Sequence, residues 1–230
     1  MQFENGVQKY LNGAVFSNGL KIQISNPEPN ILSRLDYVED ICKNKKIIHL
    51  GCSDHIPLIK EKIKKNEWLH KRLTESASLC IGVDINKEAV EYVRDEIGFK
   101  NVLELDMCND PVHAELSNES WDYLIMGEIL EHLDNPHGFL TSIRIKYPNI
   151  KHVLITVPNA LSYQNLRFSL KSYELINSDH RFWFTPYTLA KLAGLAGWDI
   201  DSFVFATYVN ANFFSGGVKR YVLGKILKKY

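Results

Sequence analysis

Four cysteines, an exact balance of acidic and basic residues, and the lack of any apolar run as long as a membrane span set the first limits on this 230-residue chain. Cys42, Cys52, Cys80 and Cys108 show no C-x-x-C spacing, which leaves no paired-thiol motif for a redox centre or a structural zinc. Three of them lie in or beside apolar segments, where a reduced cysteine behaves as a small hydrophobe, and that suits a cytoplasmic location. Lys+Arg and Asp+Glu both number 27, so no global field draws the chain toward nucleic acid or an anionic membrane, and only a local basic patch could do so. The opening Met1-Gln2-Phe3-Glu4-Asn5-Gly6 does not resemble a signal peptide, and no membrane span is expected. The length suits one α/β domain with a full core over 1–230.

What is present alternates. Residues 1–30 are turn-rich, with Asn12-Gly13, Asn18-Gly19 and Asn26-Pro27 between short apolar pieces, and read as an irregular or hairpin-like lid. A helix over 31–42 would place Ile31, Leu35, Val38 and Ile41 on one face. Strands are expected near 46–50, 79–84, 101–105, 121–126 and 151–157, and helices near 56–73, 87–97, 109–116, 134–146 and 185–196. Segments such as Leu79-Cys80-Ile81-Gly82-Val83 and His152-Val153-Leu154-Ile155-Thr156-Val157 are apolar almost throughout, as strands covered by helices on both faces must be. The fold class is therefore α/β, a doubly wound, mostly parallel sheet. A strand should follow Trp198 as far as Tyr208, and the tail 218–230 alternates basic and apolar residues at helical spacing, with Lys219, Arg220, Lys225, Lys228 and Lys229 on one side. The connection from Pro158, about 25 residues long, exceeds ordinary loops and is expected to act as an acceptor lid over 158–184.

Ile47-Ile48-His49-Leu50-Gly51-Cys52-Ser53-Asp54 reads as a buried strand that breaks at glycine, and Ile81-Gly82-Val83-Asp84 as a second strand ending in a carboxylate. Such a turn lets the backbone approach a ligand, and the carboxylate accepts hydrogen bonds from ribose hydroxyls. Only one glycine stands where G-x-G-x-x-G needs three, so the loop lacks the means to cradle a pyrophosphate. A ligand with a ribose and no phosphate fits better, and S-adenosylmethionine (SAM) is the candidate.

In order and spacing these features resemble the class I SAM-dependent methyltransferases. The resemblance covers about 31–205 and rests on Leu50-Gly51-Cys52, Val83-Asp84, Leu105-Asp106-Met107, Trp121 to Glu128, and Val157-Pro158-Asn159. It implies a cofactor site made by Gly51, Cys52, Ser53, His55, Asp84, Ile85, Asp106, Met107 and Gly127. Ser53 and His55 depart from it, standing where the family usually has further glycines, and a clear seventh strand is missing at the C-terminus.

Within that family the chain is similar to a branch with an E-x-x-E-H segment, here Glu128-Ile129-Leu130-Glu131-His132. Two glutamates three apart and a histidine four after the first would share one side of a helical turn. The plain alternative is a solvated first turn whose glutamates favour the helix dipole. The resemblance adds His180, just before the aromatic and Thr-Pro helix start in Arg181-Phe182-Trp183-Phe184-Thr185-Pro186. Two chemistries are open: His132 or His180 as general base, or Glu128, Glu131, His132 and His180 holding one divalent cation, as in ubiquinone-type and small-RNA 2′-O-methyltransferases.

Other residues read more plainly. His49 is expected to be a hydrogen-bonded core residue, Leu69-His70-Lys71-Arg72-Leu73 a helix end with cations near its negative pole, and Phe182 to Phe184 a packed lid. Asp106 has a local alternative, capping the turn after it. The expected activity is methyl transfer to oxygen or nitrogen of a small-molecule or glycan-linked acceptor. RNA 2′-O-methylation is the alternative, for which the chain lacks a basic extension, and a catalytically silent SAM-binding or interaction subunit is the alternative from another class.

Overall fold

The apolar runs picked out above become the central strands. The computed structural model describes residues 3, 6–23, 32–207 and 221–228. The chain divides into two compact units, one of residues 35–127 and 145–153, the other of 1–34, 128–144 and 154–230.

The first of these carries α2 (Arg34–Cys42, from its second residue), β2 (Lys46–Leu50), α3 (Ile56–Lys64), α4 (Leu69–Ser76), β3 (Leu79–Asp84), α5 (Lys87–Glu91), β4 (Val102–Glu104), α6 (Ala114–Ser117) and β5 (Trp121–Gly127). Strand β2 pairs in parallel with β3 on one side and β5 on the other, and β3 pairs in parallel with β4. The order β5-β2-β3-β4 therefore reverses direction at β2, which makes the carboxyl end of β2 a topological switch point where α/β sheets bind ligands. Ile47, Ile48, Leu124, Ile125 and Met126 are fully buried, each contributing about 1.5–3 kcal/mol of burial to the core. Gly82 is required by packing: a Cβ there would stand 2.7 Å from Cys52 Sγ and 2.7 Å from His70 Cε1.

Three expectations change here. The helix expected over 56–73 is broken between Lys64 and Leu69, with Asn66 in the left-handed region at φ 55°. The segment 69–73 starts a helix rather than ending one, and its cations are neutralised by carboxylates instead of a dipole: Arg72 binds Glu39 at 2.6 Å and Asp36 at 2.5 Å, and Lys71 binds Glu75 at 2.9 Å. The helix expected over 109–116 shrinks to α6, because Asp106 and Asp110 hold the chain in turns before it.

The other unit holds α1 (Gln8–Leu11), β1 (Leu32–Ser33), most of α7 (Pro136–Lys146), the end of β6 (Ile150–Pro158), α8 (Tyr163–Ser169), α9 (Pro186–Leu195), β7 (Trp198–Thr207) and β8 (Tyr221–Lys228). Thr185 starts α9 with a capping box, and Trp198 is buried with its indole N–H donating to the Leu140 carbonyl at 3.1 Å. Strand β7 pairs in parallel with β1 and in antiparallel with β8. Residues 221–228 are thus a strand, not part of an amphipathic helix, and they supply the final strand that sequence reading found missing. Val222 and Ile226 are buried on β8, and Lys225 pairs with Asp201 at 3.1 Å, so the alternation of basic and apolar residues was a strand period in a half-buried setting. The rest of the tail, Asn26-Pro27 and Ile31 lie outside the described residues. In the N-terminal segment α1 replaces the hairpin-like reading, with Val7 and Leu11 buried and α1 packed against α9.

Candidate functional site

The expected cofactor half-site is assembled by backbone hydrogen bonds at the switch point. Gly51 leaves β2 at φ 70°, and its N–H donates to the Val83 carbonyl at 2.8 Å, which ties the glycine turn to the tip of β3. The Asp84 carboxylate accepts from the N–H of Ser53 at 3.1 Å and of Asn86 at 3.0 Å. A carboxylate has about four acceptor positions, so Asp84 orders the turn and still has capacity for two hydroxyls. Cys52, Ser53 and Met107 are buried, whereas His55 and Ile85 are exposed. The loop does without further glycines because Asp54 itself takes the left-handed conformation, φ 62°, which aspartate tolerates; its carboxylate accepts from the N–H of His55 at 2.7 Å and pairs with Lys62. Asp106 accepts from the N–H of Cys108 at 2.8 Å and from Asn109 through backbone at 3.0 Å and side chain at 2.8 Å. Partial burial raises the Asp106 pKa, yet these bonds and Lys146 outweigh it and hold the carboxyl below its ordinary range. The turn-capping role of Asp106 is the one visible here.

Beside this turn His49 is a buried core residue as expected, with its Nδ1 3.2 Å from Nδ1 of His70. One imidazole must donate and the other accept, and burial pushes the pKa of His70 down to about 4.

The E-x-x-E-H segment departs from a simple helical turn. Glu128 takes φ 59° directly after β5, and only Leu130–His132 wind, as a 3₁₀ turn. The two glutamates consequently face different partners. The Thr156 hydroxyl on β6 donates to Glu128 at 2.9 Å and itself accepts from the Arg34 guanidinium at 3.2 Å, the guanidinium and the hydroxyl both buried. Removal from water raises the Glu128 pKa, opposed by Arg34 and then Thr156. Glu131 is fully buried, with both carboxylate oxygens lacking a hydrogen-bond partner among the described residues. Burial first, and Glu128 second, push its pKa up to about 9.

His180 arrives because the backbone of its loop is clamped on the same turn. The N–H groups of Arg181 and Phe182 donate to the Glu131 carbonyl at 2.7 and 3.3 Å, while the Arg181 guanidinium binds the His132 carbonyl and Asp134, the latter at 2.7 Å. The imidazoles of His132 and His180 meet edge to face, centroids 4.6 Å apart, and Nδ1 of His180 is buried without a partner among the described residues. Burial first, then His132, hold His180 below its ordinary value against a weaker upward pull from Asp179. One ligand atom each from Glu131, His132 and His180 lies within 4.8 Å of the others. A buried carboxylate with no donor and two imidazoles is a donor set that a divalent cation would satisfy, and it is also a place where an imidazole could take a proton. The structure thus gathers three of the four expected residues and assigns Glu128 to the Arg34 and Thr156 relay. Sequence reading missed both relay members. Thr156 was visible as the lone hydroxyl inside an apolar strand, whereas Arg34 gave no signal.

The aromatic segment is mixed. Phe184 is buried and bridged to Asn159, Trp183 donates to Glu174 at 2.7 Å, and Phe182 is exposed.

Residues 33–202 match the family model described as a methyltransferase domain. The chain is similar to the mitochondrial ubiquinone biosynthesis O-methyltransferase of Schizosaccharomyces pombe, 24% identical over 152 residues that make up 62% of this chain and 51% of that protein. It therefore spans about half the length of the curated relative it matches. Among solved structures it is similar to the small RNA methyltransferase HEN1, TM-score 0.58 and 15% identical over 92% of this chain and 27% of that one. It is also similar to magnesium protoporphyrin IX methyltransferase from Synechocystis PCC 6803 with bound SAH, TM-score 0.53 and 12% identical over 85% and 82% of the two chains. At these identities the structures speak for the fold alone, and it is the mostly parallel α/β fold expected. Among the described residues no helix is long and apolar enough to cross a membrane.

Proposed function

The chain belongs to the methyltransferase-domain family of class I SAM-dependent enzymes, and from that membership we propose that it transfers the methyl group of SAM to an oxygen or nitrogen of a small-molecule acceptor. The observation that carries the reading is the pairing of a glycine turn with an acidic strand end at the switch point, Gly51 bonded to Val83 and Asp84 bonded to Ser53. Gly51, Cys52, Ser53, His55, Asp84, Ile85, Asp106, Met107 and Gly127 form the cofactor site in this proposal. The Asp84 carboxylate takes the ribose hydroxyls, and the turn leaves backbone groups open to the methionine end. A glycan-linked acceptor draws no support from the relatives, and a cytoplasmic location stays part of the proposal.

Methyl transfer from a sulfonium needs an acceptor lone pair in line with the methyl group, so removal of the acceptor's proton is the step the protein can assist. We assign that assistance to Glu131, His132 and His180. An imidazole there receives the proton, with the neutral, buried Glu131 oriented beside it. A divalent ion held by these three residues would lower the pKa of an acceptor hydroxyl. Glu128, anchored by Thr156 and Arg34, positions the turn beside Glu131. Residues 158–184 and the N-terminal segment cover the acceptor in this reading.

Turnover of radiolabelled SAM in a cell extract, with and without chelator, tests both levels. If an ion serves the site, chelator abolishes transfer, divalent salt restores it, and His132→Ala or His180→Ala removes metal and activity together. If an imidazole acts alone, chelator has no effect, and the substitutions cost about a hundred- to ten-thousand-fold. Activity that survives both treatments would eliminate this assignment, and failure to bind SAM would eliminate the function.

A further inference from the structure

A second feature, in the unit that holds α9, is a groove of about 510 Å³ between the first turns of that helix and the N-terminal segment. That volume falls within the ~300–1,000 Å³ of small-molecule pockets. Tyr10, Phe16, Leu20, Ile22 and Tyr187 supply its carbon surface, and Lys191 supplies its charge. Among the described residues nothing acidic lines it. Phe16 is 85% exposed, an aromatic ring left in water at the edge of an apolar groove.

Lys191 is held in place with no carboxylate partner among the described residues. Its ammonium donates to the Tyr10 carbonyl in the last turn of α1, and the chain then reverses at Gly13, φ 74°, where a Cβ would stand 3.7 Å from the same Nζ. An ammonium has three N–H donors; Tyr10 takes one, and no carboxylate pairs with this lysine among the described residues. A fixed cation with spare donors at an apolar groove selects a ligand with an anionic end, since an anion adds the attraction of opposite charges to the hydrogen bond the ammonium donates. A neutral ligand can accept the hydrogen bond but lacks that attraction, and a cationic ligand is repelled.

We propose that this groove binds an amphipathic anion, its carboxylate or phosphate on Lys191 and its apolar body against Phe16, Leu20, Ile22 and Tyr187. The inference does not rest on methyl transfer.

Calorimetric titration of the whole chain with dodecanoate, dodecyl phosphate, dodecanol and dodecylammonium, each below its micelle concentration, tests it. Both anions should bind one to one and about tenfold or more tighter than the alcohol, with dodecylammonium weakest, and the tighter anion identifies the head group. Lys191→Met should bring the anions down to the alcohol's affinity. Because Lys191 also steadies α1, a second variant is needed: Phe16→Ser removes an exposed ring at little cost to folding and should weaken both anions and the alcohol alike. Equal affinity for dodecylammonium, unchanged anion affinity in a folded Lys191→Met protein, or indifference to Phe16→Ser would each overturn the proposal.

Discussion

At the residue scale the decisive groups are those whose partners are fixed by backbone geometry. Asp84 is one: its carboxylate ties Ser53 to Asn86, and in the proposed site its remaining acceptor positions take the ribose diol. Asp84→Ala should weaken SAM and SAH binding by on the order of 1–3 kcal/mol, roughly five- to two-hundred-fold, with calorimetry as the readout. An unchanged affinity in a folded variant removes Asp84 from the cofactor site. His70 is another, for stability rather than binding. Its folded pKa is depressed to about 4 from an ordinary 6.5, so its contribution is complete above pH 6.5 and is lost as pH falls from there toward 4. Over that window the loss approaches about 3 kcal/mol, since each unit is worth about 1.4 kcal/mol. Urea denaturation at stepped pH should show this slope, and His70→Gln should flatten it; a wild-type stability independent of pH across the window contradicts a His70 that is buried and neutral.

At the scale of elements, two segments owe their place to contacts made far along the chain. The His180 loop is held by Arg181, whose guanidinium bridges the His132 carbonyl and Asp134. Arg181→Ala should lower turnover about tenfold or more by misplacing His180, because small errors of position are costly in catalysis. SAH affinity should stay the same; a parallel loss of both would point to general disruption instead. Strand β8 is the other segment. Ile226 is 1% exposed there, opposite Ile200 on β7, so Ile226→Ala should cost about 2–5 kcal/mol in chemical denaturation. A loss typical of a surface helix, about 0.5 kcal/mol or less, would contradict the strand.

At the scale of the whole molecule the acceptor lid is the remaining prediction. Leu161, Leu166, Leu170, Tyr173 and Leu175 are all exposed within 158–184, an arrangement that leaves apolar surface for a ligand to cover. Hydrogen exchange should slow in this segment once acceptor and SAH are bound, and protection confined to the central strands would refute the lid. The strand cores were legible in the sequence because burial on both faces writes itself as continuous apolar runs, so β2 and β3 fall at their expected bounds and β5 and β6 within a residue of theirs. Gly51 and Asp84 were legible for a related reason: a strand end needs a turn residue and an acceptor within a few positions of each other. Local spacing failed where a partner is remote. The clamping of the 3₁₀ turn by Arg181 and Phe182, the diversion of Glu128 to Thr156 and Arg34, and the strand at 221–228 depend on hydrogen bonds to residues distant in sequence. Periodicity records which face of a segment is buried; it carries no term for what the segment is buried against, and that choice was made only by the tertiary structure.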